Sequence, residues 1–210
     1  MSKVCQDLHS FFNSLKRFSF PFDKNEAHLN GIYILFEKGE KGHETDRIVR
    51  IGTHTGQDQL RSRLMQHFVN ENKDRSIFRK NIGRAILNKN KDSFLPAWEL
   101  DLTSKAAREF HINSVDFNKQ KEVEKEVSRY IQDNFSFALI PVEDKARRLE
   151  IEAKLISTIS LCDDCKPSKT WLGNFSTKDK IRDSGLWLVN ELYKQPISEK
   201  EFDKIKKELE

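Results

Sequence analysis

The 210-residue sequence contains no apolar run that approaches the roughly 18 residues of a membrane span. Its first residues also lack the apolar core of a signal peptide. Internal repeats and low-complexity tracts are missing as well, while hydrophobic residues make up 37% and charged residues 33% of the chain. We therefore expect a globular cytoplasmic protein that has one well-buried core and no membrane partner.

Cysteine is scarce. The three cysteines, Cys5, Cys162 and Cys165, are too few for a disulfide framework and fit a reducing compartment. Cys162 and Cys165 form a CxxC pair, but a structural zinc site normally needs four ligands. Neither a second CxxC nor a paired histidine follows this one. We expect these two residues to be ordinary cysteines at a helix end rather than zinc ligands.

Positive charge is modest overall, with a net charge of +4 and an isoelectric point of about 8.8, but it is unevenly placed. Residues 61–91 contain nine Lys or Arg against two Asp or Glu, so the rest of the chain is net acidic by three. A concentrated positive field is typical of nucleic-acid-binding surfaces. Charge alone leaves the alternative of an ordinary solvated face open.

Apolar periodicity indicates a mixed α/β (α+β) fold. It predicts helices over 7–18, 58–69, 76–87, 119–135, 144–161 and 198–209, and strands over 31–36, 47–51 and 135–142. The polar segment 37–46 contains two glycines and predicts a hairpin with a long loop. The expected architecture is a small, mostly antiparallel three-stranded sheet flanked by helices.

Two predicted helices carry polar residues against their own pattern. Glu152 falls on the apolar face of the helix 144–161, where an unpaired carboxylate is costly and often marks a functional site. The alternative is a structural ion pair. In the helix 58–69, Arg63 and His67 lie four apart at the edge of the apolar stripe, where a cleft would open. The alternative there is a pair of amphipathic surface residues.

Four short motifs occur in a fixed order on these elements. They are Gly31-Ile32-Tyr33 on the first strand, Arg50-Ile51-Gly52 on the second, Arg63-Leu64-x-x-His67 on the next helix, and Glu152-x-x-Leu155-Ile156 on the helix after the third strand. In this order they resemble the GIY-YIG nuclease family. The resemblance covers roughly residues 30–174. It implies a single domain with a core at 28–175, a helical insertion at about 71–134, an N-terminal helical extension at 1–27 and a C-terminal extension at 176–210.

The resemblance also implies roles for individual residues. Tyr33 matches the tyrosine that acts on the attacking water as, or as part of, the general base. Arg63 matches the arginine that neutralises the scissile phosphate, and Glu152 matches the carboxylate that holds one divalent metal ion, Mg²⁺ or Mn²⁺. His67 matches a histidine near the nucleophile, and Asn174 matches an asparagine that follows the acidic motif in many members.

The sequence departs from the family pattern in three places. Arg50 occupies the position of the second tyrosine, as a basic residue does in some restriction-enzyme members, so Tyr33 could carry the base role alone. The predicted hairpin loop is longer than the short one usual in the family. Between His67 and Glu152 lie 84 residues, more than a minimal module needs.

We expect the DNA to be held by cations of the basic segment. Arg61 and, outside the apolar stripe of the helix 76–87, Arg79, Lys80 and Arg84 would contact phosphates that flank the scissile bond. The sequence thus predicts a metal-dependent DNA endonuclease. The alternatives are a catalytically inactive nucleic-acid-binding protein that retains the nuclease fold, and a protein-interaction domain. The oligomeric state stays open, a homodimer included.

Overall fold

The structure, a computed structural model, describes residues 2–209 and contains one antiparallel sheet with helices on both faces. The strands are β1 (Phe18–Ser19), β2 (Gly31–Gly42), β3 (Thr45–Gly52) and β4 (Phe135–Pro141), in the order β1-β4-β2-β3. All three pairings are antiparallel. The mixed α/β prediction is confirmed. The fourth strand is the two-residue β1, which is too short to leave a periodic pattern in the sequence.

Helices occupy most of the remaining chain. They are α1 (Ser2–Ser14), α2 (Leu60–Phe68), α3 (Ile77–Lys89), α4 (Leu95–Glu99), α5 (Lys105–Phe110), α6 (Phe117–Asn134), α7 (Lys145–Ser160), α8 (Asp179–Ser184) and α9 (Glu199–Leu209). The six predicted helices are all present. Three of them begin at side-chain caps, because Ser76, Asp116 and Asp144 each accept a hydrogen bond from a backbone N–H of the first turn. None of the helices in the described part of the chain is long and apolar enough to cross a membrane.

The sheet separates two hydrophobic clusters because successive strand residues point to opposite faces. On β2, Ile32 and Ile34 pack with α1, α7 and α9, whereas Tyr33 and Leu35 pack with α2, α3 and α6. The side chain of Tyr33 and the helix α7, which carries Glu152, therefore lie on opposite faces of the sheet. Side chains from these two faces can meet only at an edge, and the edge nearest to both is β3.

The hairpin between β2 and β3 is tighter than the sequence predicted. Both strands continue through the segment that we expected to be a loop, and His43 and Glu44 alone form the turn, with φ of 51° and 62°. Positive φ at both central residues is typical of the two-residue hairpin turn whose twist matches the twist of the flanking strands. The long-loop prediction is wrong because two residues typical of solvated loops, Glu37 and Glu40, are buried here, and Glu40 forms an ion pair with Arg47.

A β-bulge orients the residues of β3. Leu35 pairs with Arg50 and Phe36 with Ile48, so Val49 is the extra residue on the bulged strand. Cross-strand partners share a face. Arg50 therefore projects on the same face of the sheet as Leu35 and Tyr33.

The C-terminal segment covers the outer edge of β3. The backbone N–H of Trp187 donates to the carbonyl oxygen of Val49 at 2.8 Å. The indole N–H groups of Trp171 and Trp187 both donate to the buried carboxylate of Glu37, at 2.7 and 2.8 Å. These bonds fix the chain on both sides of α8 against the hairpin formed by β2 and β3, the strand that carries Arg50.

Candidate active site

Tyr33 is held on β2 by its cross-strand partner Gly52. The tyrosine ring crosses the neighbouring strand so closely that a Cβ atom on residue 52 would overlap Oη and Cζ. Only glycine leaves this space. The position of Tyr33, which is 1% exposed, thus explains the glycine of the Arg50-Ile51-Gly52 motif.

His67 joins Tyr33 from α2. Its Nε2 lies 2.9 Å from Tyr33 Oη, and its Nδ1 lies 2.7 Å from the hydroxyl oxygen of Ser76. The histidine is fully buried, so the expectation that it lies at the edge of the apolar stripe, between core and solvent, is wrong. Both of its ring nitrogens have partners in the interior. Burial lowers the pKa of His67 well below its usual value, and the charges of Arg63 and Arg50 lower it further. The imidazole is therefore neutral at neutral pH.

Arg50 lies beneath the C-terminal segment and is almost fully buried. One guanidinium nitrogen, Nη1, donates to the carbonyl oxygen of Trp187, and the guanidinium carbon lies 5.4 Å from the ring centroid of Phe78. Its Nε is buried and has no hydrogen-bond partner within residues 2–209. A buried donor without a partner is costly, and a bound anion would satisfy it.

Glu152 projects from α7 toward the end of β3. One carboxylate oxygen, Oε1, accepts a hydrogen bond from the backbone N–H of Thr53 at 3.1 Å. Burial raises the pKa of Glu152, while the positive charge of Arg50 opposes that rise. The ion pairs within residues 2–209 do not include Glu152. The structural ion pair that was the alternative for this residue is therefore not present in the described chain.

A cavity of about 250 Å³ lies between Arg50 and Glu152. Asn81 of α3 and Glu191 also line it, and the sequence analysis missed both. The Nδ2 of Asn81 is, like Arg50 Nε, a buried donor that lacks a partner in the described residues. The charge of Glu191 contributes to the raised pKa of Glu152. The cavity thus combines two carboxylates with two unsatisfied donors.

Arg63 lines a second cavity of about 200 Å³ at the other side of the β3 end, together with Thr53 and His54. Its Nη1 donates to Gln66 Oε1 and to the carbonyl oxygen of Arg75, both at 3.1 Å. The charge of Arg63, like that of Arg50, lowers the pKa of both His67 and Glu152. The two arginines therefore act electrostatically on the histidine and the carboxylate together.

His54 was also missed by the sequence analysis. It lies two residues after Gly52, and its Nδ1 lies 2.7 Å from the carbonyl oxygen of Gly56. Its Nε2 accepts a hydrogen bond from the backbone N–H of Gly31 at 3.3 Å. Burial lowers the pKa of His54. Its position after Ile51-Gly52-Thr53 was the available signal, because the end of a strand commonly presents site residues.

The predicted DNA-binding cations of α3 are not solvated. Arg79 is fully buried and binds Glu124 of α6, with Nη2 2.7 Å from Oε2. Lys80 and Arg84 are also buried, and Arg84 Nε lies 2.6 Å from Glu99 Oε1. The expectation of three free cations beside the cleft is wrong because acidic side chains and carbonyl oxygens from α4 and α6 bind them.

The two remaining predicted DNA contacts make structural bonds. Arg61 donates from Nε to Ala27 O and from Nη2 to Asn25 O, both at 2.9 Å. Asn174 Nδ2 donates to the carbonyl oxygen of Ser168 at 2.9 Å. Neither residue lines the two cavities at the end of β3. The structure thus brings Tyr33, Arg50, Arg63, His67 and Glu152 to one end of the sheet and leaves Asn174 apart.

Comparison with known proteins gives one match. The family model of the GIY-YIG domain matches residues 3–210 of the chain. No curated protein gives a significant match, and no solved structure does.

Proposed function

The chain belongs to the GIY-YIG family, whose members are nucleases that act on DNA, and from this membership we propose that it is a metal-dependent DNA endonuclease. The observation that carries the proposal is the 2.9 Å contact between Tyr33 Oη and the neutral, buried His67. The contact lies at the end of the sheet where Arg50, Arg63 and Glu152 also converge.

In this proposal, Tyr33 activates the attacking water. A phenolic oxygen is a poor base while it keeps its own proton, so the base needs an acceptor behind it. If His67 Nδ1 donates to Ser76, then Nε2 accepts the proton of Tyr33 as the tyrosine oxygen takes one from the water. The water oxygen bonds to phosphorus, the bond from phosphorus to the 3′-oxygen breaks, and the departing oxygen takes a proton from solvent. Two proton acceptors in series thus generate the nucleophile.

The arginines and Asn81 bind the phosphate. Arg63 presents a permanently charged, planar group to the phosphoryl oxygens, where charge builds in the transition state. Arg50 Nε and Asn81 Nδ2 offer two buried donors that lack partners within the described chain. A phosphate oxygen in the neighbouring cavity would satisfy both. This assigns Arg50 a binding role in place of the second tyrosine of the family.

Glu152 suits a hard divalent cation. Its cavity is lined by a second carboxylate, Glu191. Burial raises the pKa of Glu152, and a bound cation would lower it again by stabilising the ionised form. Oxygen ligands are those that Mg²⁺ and Mn²⁺ prefer, and one protein carboxylate with water and phosphate is a usual set for Mg²⁺. Bound at Glu152, the ion would act as a Lewis acid at the leaving oxygen. The protein itself holds the carboxylate in place through Thr53 N–H.

A cleavage assay on defined DNA tests this function. Supercoiled plasmid and a synthetic DNA junction are incubated with the protein in Mg²⁺, in Mn²⁺ and in EDTA. We expect cleavage only with a divalent ion, and its loss in Glu152→Gln. Glu150→Gln is the matched control, because Glu150 lies on the exposed side of the same helix. Salt-dependent DNA binding without cleavage in any arm would contradict the proposal and favour an inactive binding protein.

A further inference from the structure

Four potential metal ligands converge at the end of the hairpin that lies away from Tyr33. Cys5 and His9 come from α1, His43 from the hairpin turn, and Cys165 from the short 3-10 helix after α7 (Asp163–Cys165). One ligand atom from each residue lies within 4.8 Å of the other three. His43 follows Tyr33 by ten residues, which corresponds to roughly 30 Å of extended strand. The cluster is therefore separate from the candidate active site.

We propose that these four side chains bind one Zn²⁺ in a tetrahedral site. Bond lengths of 2.3 Å to sulfur and about 2.0 Å to nitrogen put tetrahedral ligand atoms about 3.3–3.8 Å apart. Cys5 Sγ lies 3.4 Å from Cys165 Sγ, and Cys165 Sγ lies 3.9 Å from His9 Nε2. These two distances are close to those of a zinc site, and the 4.8 Å limit on the others is within about 1 Å of it. Two thiolates and two imidazoles also favour zinc over harder cations such as Mg²⁺, which prefer oxygen ligands.

His9 is oriented as a ligating histidine is. Its Nδ1 lies 2.9 Å from the carbonyl oxygen of Cys5, and a proton on Nδ1 leaves the lone pair on Nε2, the nitrogen nearer Cys165. A carbonyl oxygen behind the distal nitrogen is the usual arrangement for a histidine that binds a metal. The backbone N–H of Ile48 also donates to His9 Nε2, at 3.2 Å. Metal binding would exchange this hydrogen bond for a coordinate bond.

The site would be structural rather than catalytic. Cys5, His9 and Cys165 are buried and His43 is half-buried, so the set is closed and leaves no position for substrate. It would join α1, the hairpin turn and the segment after α7, which are distant in sequence. Cys162 lies beside the set, with Sγ 3.4 Å from His43 Nε2. The ion would thus fix the hairpin whose strands carry Tyr33 and Arg50.

No CxxC pair or paired histidine follows Cys165, so the sequence alone did not indicate this site. The partners of Cys165 precede it in the chain. Cys5 and His9 are four apart, which places both on one face of a helix. That spacing was the signal for two of the four ligands, whereas nothing in the sequence pointed to His43.

Metal content tests the proposal directly. The untagged 210-residue protein, purified in reducing buffer without chelators, is measured by inductively coupled plasma mass spectrometry. We expect about one zinc per chain in the wild type and in Glu152→Gln, and near-complete loss in Cys165→Ala and His43→Ala. His28→Ala is the matched histidine control, because His28 is exposed and outside the cluster. Cys162→Ala should also keep its zinc.

A second measurement does not depend on the folding of any variant. Wild-type protein freed of metal is titrated with Co²⁺, and we expect the strong visible bands of tetrahedral cobalt and a near-ultraviolet thiolate charge-transfer band, both abolished by added Zn²⁺. Chelation should also lower the Tm of the wild type. The proposal is overturned if the wild type contains no zinc and binds no Co²⁺, if a Cys5–Cys165 disulfide forms in place of a metal site, or if Cys162→Ala loses the ion.

Discussion

Tyr33 and His67 form a hydrogen bond of 2.9 Å that joins the central strand β2 to the helix α2. Both side chains are buried, and the histidine is braced behind by Ser76, the cap of α3. A phenol that keeps its own proton is a poor base, so the tyrosine needs a neighbouring group that can accept that proton. The contact therefore gives a physical reason for the histidine in the Arg63-Leu64-x-x-His67 motif.

We predict that His67 makes the fold sensitive to mild acid. Burial holds its folded pKa well below the unfolded value of about 6.5, so His67 contributes stability above about pH 6.5 that is lost as pH falls toward the folded pKa. The free energy of unfolding, measured by urea titration at neutral and at mildly acidic pH, should fall more in the wild type than in His67→Gln. Equal losses in both proteins would show that other groups cause the acid sensitivity.

Glu152→Gln should leave the protein at least as stable as the wild type at neutral pH. Burial raises the folded pKa of Glu152, so the ionised carboxylate carries a cost above that pKa, and the cost vanishes below the unfolded value of about 4.3. The advantage of the variant should therefore shrink as pH falls. Gln keeps the oxygen that accepts from Thr53 N–H. A lower urea midpoint for the variant at neutral pH would contradict this assignment and favour a structural role for the charge.

Gly52→Ala should lose DNA cleavage to about the same extent as removal of the Tyr33 hydroxyl. The added methyl group would overlap the tyrosine ring and displace Oη from His67. Gly39→Ala is the control, because a Cβ at residue 39 meets no atom within 4 Å, although its φ of +87° makes alanine strained there. We expect Gly39→Ala to lose about 1 kcal/mol of stability and keep its cleavage rate. Cleavage by Gly52→Ala at the wild-type rate would mean that the ring position does not matter.

The elements of the site could be predicted from the sequence, whereas its environment could not. Tyr33, Arg50 and Glu152 lie on short periodic segments, and periodicity predicts which element each belongs to. The burial of Arg79 depends on Glu124, 45 residues away, and no local pattern links the two. The same holds for the tight hairpin. A glutamate such as Glu37 favours a loop, and the two tryptophans that bury it are distant in the sequence.

The buried pair Arg79–Glu124 should stabilise the fold rather than bind DNA. Arg79→Met leaves Glu124 as an unpaired buried charge and should lower the free energy of unfolding by about 3–5 kcal/mol. The double variant Arg79→Met with Glu124→Met removes both charges and should be more stable than either single variant, as measured by urea unfolding. An additive loss in the double variant would show that the pair is not coupled.

The proposed reaction depends most on the hydroxyl of Tyr33, and single-turnover cleavage of labelled DNA by Tyr33→Phe tests that dependence most directly. Tyr193→Phe is the control, because that tyrosine is exposed. We predict that Tyr33→Phe loses far more than tenfold in cleavage rate while its DNA affinity, measured at the same salt concentration, stays close to that of the wild type. A loss confined to affinity, or cleavage at the wild-type rate, would contradict the role of Tyr33 as the base.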